Sequence, residues 1–171
     1  MHAITPIIAP LEIGLSCRNM DAMVAFYSTV FSFRLISDIP VLASTVAATI
    51  FSDTGYRVVR LQAPFGERLK LLAANEVSGE ATGKTQQRAS GNIIKAANTS
   101  FITFIVDDIA TALQRALAHG ATLAHDAAKI RPDLSIALLL DPEGNYLELA
   151  QYNDISQYRP DVQLNAKPEP S

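Results

Sequence analysis

Two stretches of this chain repeat one another at an offset of 89 residues. Asn19 and Asp108 are each a good helix N-cap, and each is followed by an apolar stripe at helical spacing: Met20, Met23, Val24, Tyr27 and Phe31 after the first, Ile109, Ala112, Leu113, Ala116 and Leu117 after the second. Each cap is preceded by a run with strand alternation. Ile13, Leu15 and Cys17 share a face in the first, and Ile102, Phe104 and Val106 are their counterparts in the second. Each half then reads strand, helix and three strands. A duplicated unit of this kind has one helix to cover one face of its sheet. The expected fold is therefore α+β, with two tandem β-α-β-β-β modules forming a curved mixed sheet whose uncovered faces line one cup.

The boundaries follow from the same pattern. Residues 1–75 form the first module, 76–100 a linker, 101–152 the second module and 153–171 a tail. In the first module the strands are read at Leu11–Cys17, Arg34–Ile39 (ending before Pro40), Arg57–Leu61 and Arg68–Ala73, with a turn at Pro64–Glu67. The stretch Val41–Gly55 has no clear period. The linker holds Gly79, Gly83 and Gly91 among polar residues and has little periodicity. In the second module Phe101–Val106, Ala121–Ala124 and Ser135–Leu140 read as strands, and Gly120 ends the helix. The sharpest local signal is Asp141-Pro142-Glu143-Gly144-Asn145, a three-residue hairpin loop with Pro142 fixing φ and Gly144 in the left-handed position. The strand after it, Tyr146–Ala150, puts Leu147 and Leu149 on one face and Tyr146 and Glu148 on the other.

Composition narrows the function. The 171 residues are 49% hydrophobic and 18% charged, as in a globular protein with a sizeable core. A net charge of −3 offers no electrostatic case for nucleic acid. The single cysteine, Cys17, excludes an intramolecular disulfide and fits a reducing compartment. Met1–Pro10 has no basic segment ahead of an apolar run, and no apolar stretch reaches membrane-spanning length. A cytoplasmic protein without membrane partners is expected.

The chain resembles the vicinal oxygen chelate superfamily, which includes glyoxalase I, bleomycin-resistance proteins, methylmalonyl-CoA epimerase and extradiol dioxygenases. The resemblance rests on Asn19-Met20-Asp21 through Ala25-Phe26-Tyr27, on Val106-Asp107-Asp108-Ile109, and on Asp141-Pro142-Glu143-Gly144-Asn145 with Leu147-Glu148-Leu149. It covers Leu11–Tyr152. Ser32 stands where that family usually has glycine after the first helix.

In the family, four residues from the first and last strands of the two halves converge on a divalent metal. The resemblance carries those positions to Glu12, Lys70, Phe101 and Glu148. Phenylalanine has no donor atom and an ammonium repels a cation, so no metal and no cofactor are expected. With Lys70 in the cup beside Glu12 and Glu148, two readings stand. One is a structural ion pair at a lost metal site. The other is catalytic, with Lys70 polarising a carbonyl while Glu148 or Glu12 moves a proton.

The same resemblance implies a small-molecule ligand resting on Phe101, with Ser16, Arg68, Thr103 and Tyr146 on the cup face as candidate contacts, and a homodimer. The function expected is a metal-independent lyase or isomerase acting on an aromatic or polyketide-like carbonyl compound; the alternative is a non-catalytic, resistance-type binding protein. Tyr27 reads as core, Cys17 as buried and inert, and His119 as a structural residue in the last turn of its helix. His125 reads as a loop residue and His2 as terminal.

Overall fold

The computed structural model describes residues 7–46, 51–75, 93 and 99–162. The linker therefore lies almost wholly outside the described residues, as does the end of the tail. The first module runs β1 (Glu12–Ser16), α1 (Met20–Phe31), β2 (Arg34–Leu42), the short α2 (Ala43–Val46), β3 (Gly55–Gln62) and β4 (Arg68–Ala74). The second runs β5 (Phe101–Ile105), α3 (Ile109–Ala118), β6 (Thr122–Arg131), β7 (Leu134–Leu140) and β8 (Tyr146–Tyr152), followed by α4 (Ile155–Tyr158). The tandem β-α-β-β-β modules expected from the repeat are present. Each has its own four-stranded mixed sheet, in the order β1-β4-β3-β2 and β5-β8-β7-β6. The first strand of each module pairs in parallel with the last, and the other pairs are antiparallel.

The helices begin where the sequence says. The Asn19 side chain accepts from Ala22 N–H at 3.0 Å, and Asp108 accepts from Ala110 and Thr111 N–H. α1 buries Met20, Met23, Phe26, Tyr27 and Val30 against Val59 and Leu61 of β3 and Leu69 and Leu71 of β4. α3 covers Ala137, Leu139, Leu147 and Leu149 with Ile109 and Ala116, and the two sets form one continuous core. Phe31 at the end of α1 stacks on Phe104 of β5, with centroids 3.9 Å apart and planes at 12°. An aromatic pair of this kind is worth about 0.5–1.5 kcal/mol beyond its buried area. The helix-side faces of both modules thus share a single apolar interior.

The β7–β8 turn joins the modules by polar contacts as well. Its loop is closed by Asp141 N–H to Asn145 O, with Gly144 at φ 89°, so the expected three-residue loop is found. Asp141 is only 2% exposed. Its carboxylate accepts from Tyr27 Oη at 2.8 Å, from the N–H groups of Glu143 and Asn145, and from Asn145 Nδ2. Glu143 reaches the start of α1, accepting from Arg18 N–H at 2.8 Å and Asn19 N–H at 2.7 Å and pairing with the Arg18 guanidinium. Tyr27 is a core residue, as expected, but its hydroxyl is an inter-module donor. Burial, followed by the Asp141 carboxylate, pushes its pKa up.

Several boundaries differ from the sequence reading. β2 does not stop before Pro40 but runs through it to Leu42, with Pro40 opposite Arg57. As the outer strand of its sheet, β2 has a side with no ladder, and a missing N–H is tolerated there. β6 is ten residues long rather than four. His125 therefore lies in a strand, with Nδ1 2.7 Å from the carbonyl of Asp126. Three register shifts along β6 break its alternation, which is why no two-residue period is visible there. β1 is shorter than read, and β3, β7 and β8 are each longer. His119 caps α3, its Nδ1 2.8 Å from Arg115 O, and Cys17 is buried. Burial first, then the Glu143 and Asp141 carboxylates, push the Cys17 thiol up to about 11.

Two outcomes follow for stability. Ser32 caps α1 in the left-handed region at φ 58°, exposed to solvent, and is the one non-glycine residue with positive φ among those described. Ser32→Gly removes that strain with no packing lost and raises stability by about 0.5–1 kcal/mol, read as a higher denaturant midpoint at unchanged slope. Burial works against the Glu143 charge, but the Asn19 and Arg18 N–H groups and the Arg18 guanidinium outweigh it and hold the carboxyl below its ordinary 4.5. A depressed carboxyl contributes stability above its unfolded pKa and loses it as pH falls through the folded one. Glu143→Gln therefore lowers stability at neutral pH by about 1–2 kcal/mol and flattens the acid limb of the stability profile below pH 4.5, measured by urea unfolding across pH.

Candidate functional site

The helix covers one face of each sheet and leaves the other free, and strand parity decides which side chains stand on the free face. In β4, Leu69 and Leu71 are buried beneath α1, at 2% and 0% exposure, so Arg68, Lys70 and Leu72 point the other way. Register then places Gln62, Arg60 and Val58 of β3 beside them, and Glu12, Gly14 and Ser16 of β1 on the other flank. In β8, Leu147 and Leu149 are fully buried beneath α3, so Tyr146, Glu148 and Ala150 take the free face with Phe101, Thr103 and Ile105 of β5. All eight residues singled out from the sequence thus lie on helix-free faces.

Register also settles how the two halves correspond. Lys70 stands opposite Gly14 as Glu148 stands opposite Thr103. Gly14 and Thr103 are separated by the same offset as the two helix caps, so Lys70 is the counterpart of Glu148, and Glu12 that of Phe101. Each half carries one carboxylate, at non-equivalent positions.

The partners of these groups differ from the expected triad. Glu12 lies 3.5 Å from Arg68 Nη1 and 3.9 Å from Arg60 Nε. Glu148 accepts from Thr103 Oγ1 at 2.7 Å. Among the described residues no ion pair joins Lys70 to either carboxylate. The residue directly opposite Lys70 on β3 is Arg60, and Glu12 is shared by the two guanidiniums. Sequence reading missed Arg60, although its alternation with Val59 and Leu61 placed it on the same face as Lys70.

The second module's free face is more apolar. Leu138 and Ile136 of β7 stand opposite Glu148 and Ala150, and Phe101 and Ile105 remain 47% and 41% exposed. The first module's face is polar, with a hollow of about 240 Å³ between the segment at Ala9 and Pro10 and the side chains of Glu12, Gln62 and Arg68.

The family's metal does not fit these residues. Two of the four positions are a phenylalanine and a lysine, which supply no lone pair to a cation at neutral pH. Among the described residues no group of three or more His, Cys, Asp or Glu is placed to hold a metal ion. No helix among them is long and apolar enough to cross a membrane.

Comparison with known proteins agrees with the fold. The glyoxalase family protein from Bacillus cereus superimposes with a TM-score of 0.73 at 17% identity, over 89% of this chain and 99% of that one. A mutant of glyoxalase I from Zea mays gives 0.59 at 15% identity, over 85% of this chain and 45% of that one. The fosfomycin resistance protein FosX from Mesorhizobium loti gives 0.51 at 14% identity, over 92% of this chain and the whole of that one. No curated protein matches at the level of sequence. A family model for the Glyoxalase/Bleomycin resistance protein/Dioxygenase superfamily matches residues 9–149, and the chain belongs to that superfamily.

Proposed function

We propose that this protein is a metal-independent lyase or isomerase, acting on an aromatic or polyketide-like carbonyl compound held against the helix-free faces of a homodimer. The observation that carries the reading is the equivalence of Lys70 and Glu148. One half presents an ammonium where the other presents a carboxylate. A carboxylate able to take a proton beside a carbonyl, and an ammonium able to stabilise the oxygen as negative charge develops there, are the two groups that enolisation needs. Thr103 orients the Glu148 carboxylate, and Phe101 and Tyr146 supply flat apolar surface for a ring.

The homodimer enters for a physical reason. Within one chain the contacts described between the modules run through the helices and the β7–β8 turn, not between the free faces. Large apolar side chains remain open on those faces: Phe101 and Ile105 in the second module, and Ile39, opposite Val58, on the outer strand of the first. A second copy both covers such surface and sets the lysine of one module against the carboxylate of another.

A second reading is favoured by one observation. Among the described residues no hydrogen bond or ion pair joins Lys70 to Glu148, so binding without turnover, the resistance-type alternative, needs nothing more than the faces themselves.

Deuterium exchange separates the two. A panel of aromatic and polyketide-like carbonyl compounds is screened by thermal shift, and each binder is incubated with the protein in heavy water. Enzyme action appears as deuterium incorporated beside the carbonyl, falling by about 10²–10⁴ in Glu148→Gln and in Lys70→Gln. A bound compound that never exchanges establishes sequestration. Purified protein is expected to contain no stoichiometric transition metal, and metal that is removable with loss of activity would overturn that part of the proposal. Sedimentation at micromolar concentration is expected to show a dimer, and a monomer there removes the shared site.

A further inference from the structure

The first module's free face carries more positive charge than its own structure uses. Arg60 and Lys70 are directly opposite one another on the β3–β4 ladder, and Arg68 lies on the same face with Glu12 as the sole acid on the free face of β1, β3 and β4. Like charges facing each other across an antiparallel pair are destabilising. Glu12 relieves this only in part, because it is divided between two guanidiniums at 3.5 and 3.9 Å. Among the described residues Arg60 has one further contact, Nη1 to Ser37 Oγ, at 3.5 Å.

Arginines elsewhere in the protein are held differently. Arg57, on the helix side, binds Asp38 through two nitrogens at 2.9 and 2.7 Å and Asp21 at 3.1 Å. Arg131 and Arg159 each take a single aspartate through two nitrogens. In these three the carboxylate meets the guanidinium in fork geometry, whereas Arg18 meets Glu143 through Nε alone. On the free face two guanidiniums share one carboxylate at 3.5 and 3.9 Å, their side chains 38% and 31% exposed, and a guanidinium is built for bidentate recognition of a carboxylate or phosphate. The hollow of about 240 Å³ is lined by Arg68, its partner Glu12, Gln62 and Gly66, while Arg60 and Lys70 stand on the same face outside that lining.

We propose that Arg60 and Arg68, with Lys70 beside them, form an anion subsite, and that the compound this protein binds carries a carboxylate or phosphate at one end of an apolar body. The anionic group enters the hollow beside Arg68 and completes the coordination that Glu12 only half supplies. The apolar body extends toward Phe101 and Tyr146. The inference deepens the function proposed above and depends on it for the apolar half of the site alone.

The test uses the full-length protein at low ionic strength. Naphthoate and its neutral isostere naphthamide are titrated calorimetrically, and inorganic phosphate is followed by the guanidinium NMR signals of the arginines. Naphthoate is expected to bind about tenfold more tightly than naphthamide, the preference shrinking as salt rises. Phosphate is expected to shift the Arg60 and Arg68 signals and leave those of Arg57 and Arg131 in place. Arg60→Gln with Arg68→Gln brings the naphthoate preference to about onefold.

Equal affinity for the two naphthyl compounds, or phosphate shifts spread evenly over all the arginines, overturns the subsite. Neither result depends on a variant folding. Equal but measurable affinities leave the apolar site standing without its anion preference. Phosphate shifts confined to Arg60 and Arg68, with no naphthyl compound bound, keep the subsite and defeat the aromatic-ligand reading.

Discussion

The buried Asp141 carboxylate is the constraint on which the arrangement of the two modules depends. A carboxylate removed from water is costly unless its lone pairs are met, and here four donors meet them. Three belong to its own turn and hold the loop in shape. The fourth is the Tyr27 hydroxyl, which comes from α1 of the other module. The residue two places on, Glu143, then reaches the exposed N–H groups at the start of the same helix. One hairpin loop thus satisfies the backbone at the N-cap of α1 and the hydroxyl of its fully buried tyrosine. Once those contacts form, α1 has a fixed position against β5, and Phe31 can stack on Phe104.

That fixed packing spends the helix side of both sheets on stability and leaves the free sides for chemistry. The division is visible in how charge is handled. Arg57 lies on the helix side and is neutralised by two aspartates. Arg60 lies three residues further along the same strand, on the free side, and shares one glutamate with Arg68. The same strand therefore holds a structural arginine and an under-neutralised one, and sheet parity separates them.

Much of this was legible in the sequence because the signals were local. Asn19 and Asp108 announce their helices through a side chain that bonds within three residues, and Gly144 announces its turn through its own φ. Parity around Leu69–Leu71 and Leu147–Leu149 was enough to place Lys70 and Glu148 on free faces. The parts that were not legible depend on distant partners. Nothing near Glu143 says that it will bind the start of a helix more than a hundred residues earlier. The outer strands β2 and β6 were misjudged because an edge relaxes the rules used to find strands. It accepts Pro40, and it accepts bulges that erase the alternation around His125. The ion pairs of Glu12 among the described residues are with Arg60 and Arg68 and not with Lys70, for a similar reason. The choice of partner for Glu12 is made across β4 and β3, where Arg60 and Arg68 both lie within reach.

The two modules share one pattern, and under the proposed function their differences at equivalent positions make each face supply what the other lacks. At the position where the first module has Glu12, the second has Phe101; where the first has Lys70, the second has Glu148. The exchanges are opposite in sense. The first module's free face gathered cations around one acid, and the second's kept one acid, oriented by Thr103, on a largely apolar surface. A symmetric pair of faces would suit a symmetric ligand or a single central ion. This pair suits a molecule with two unlike ends, because charge is matched on one face and apolar area is covered on the other. The two positions that lack a donor atom for a cation, Lys70 and Phe101, are also the two that make the faces unlike, since each stands against a carboxylate in the other module.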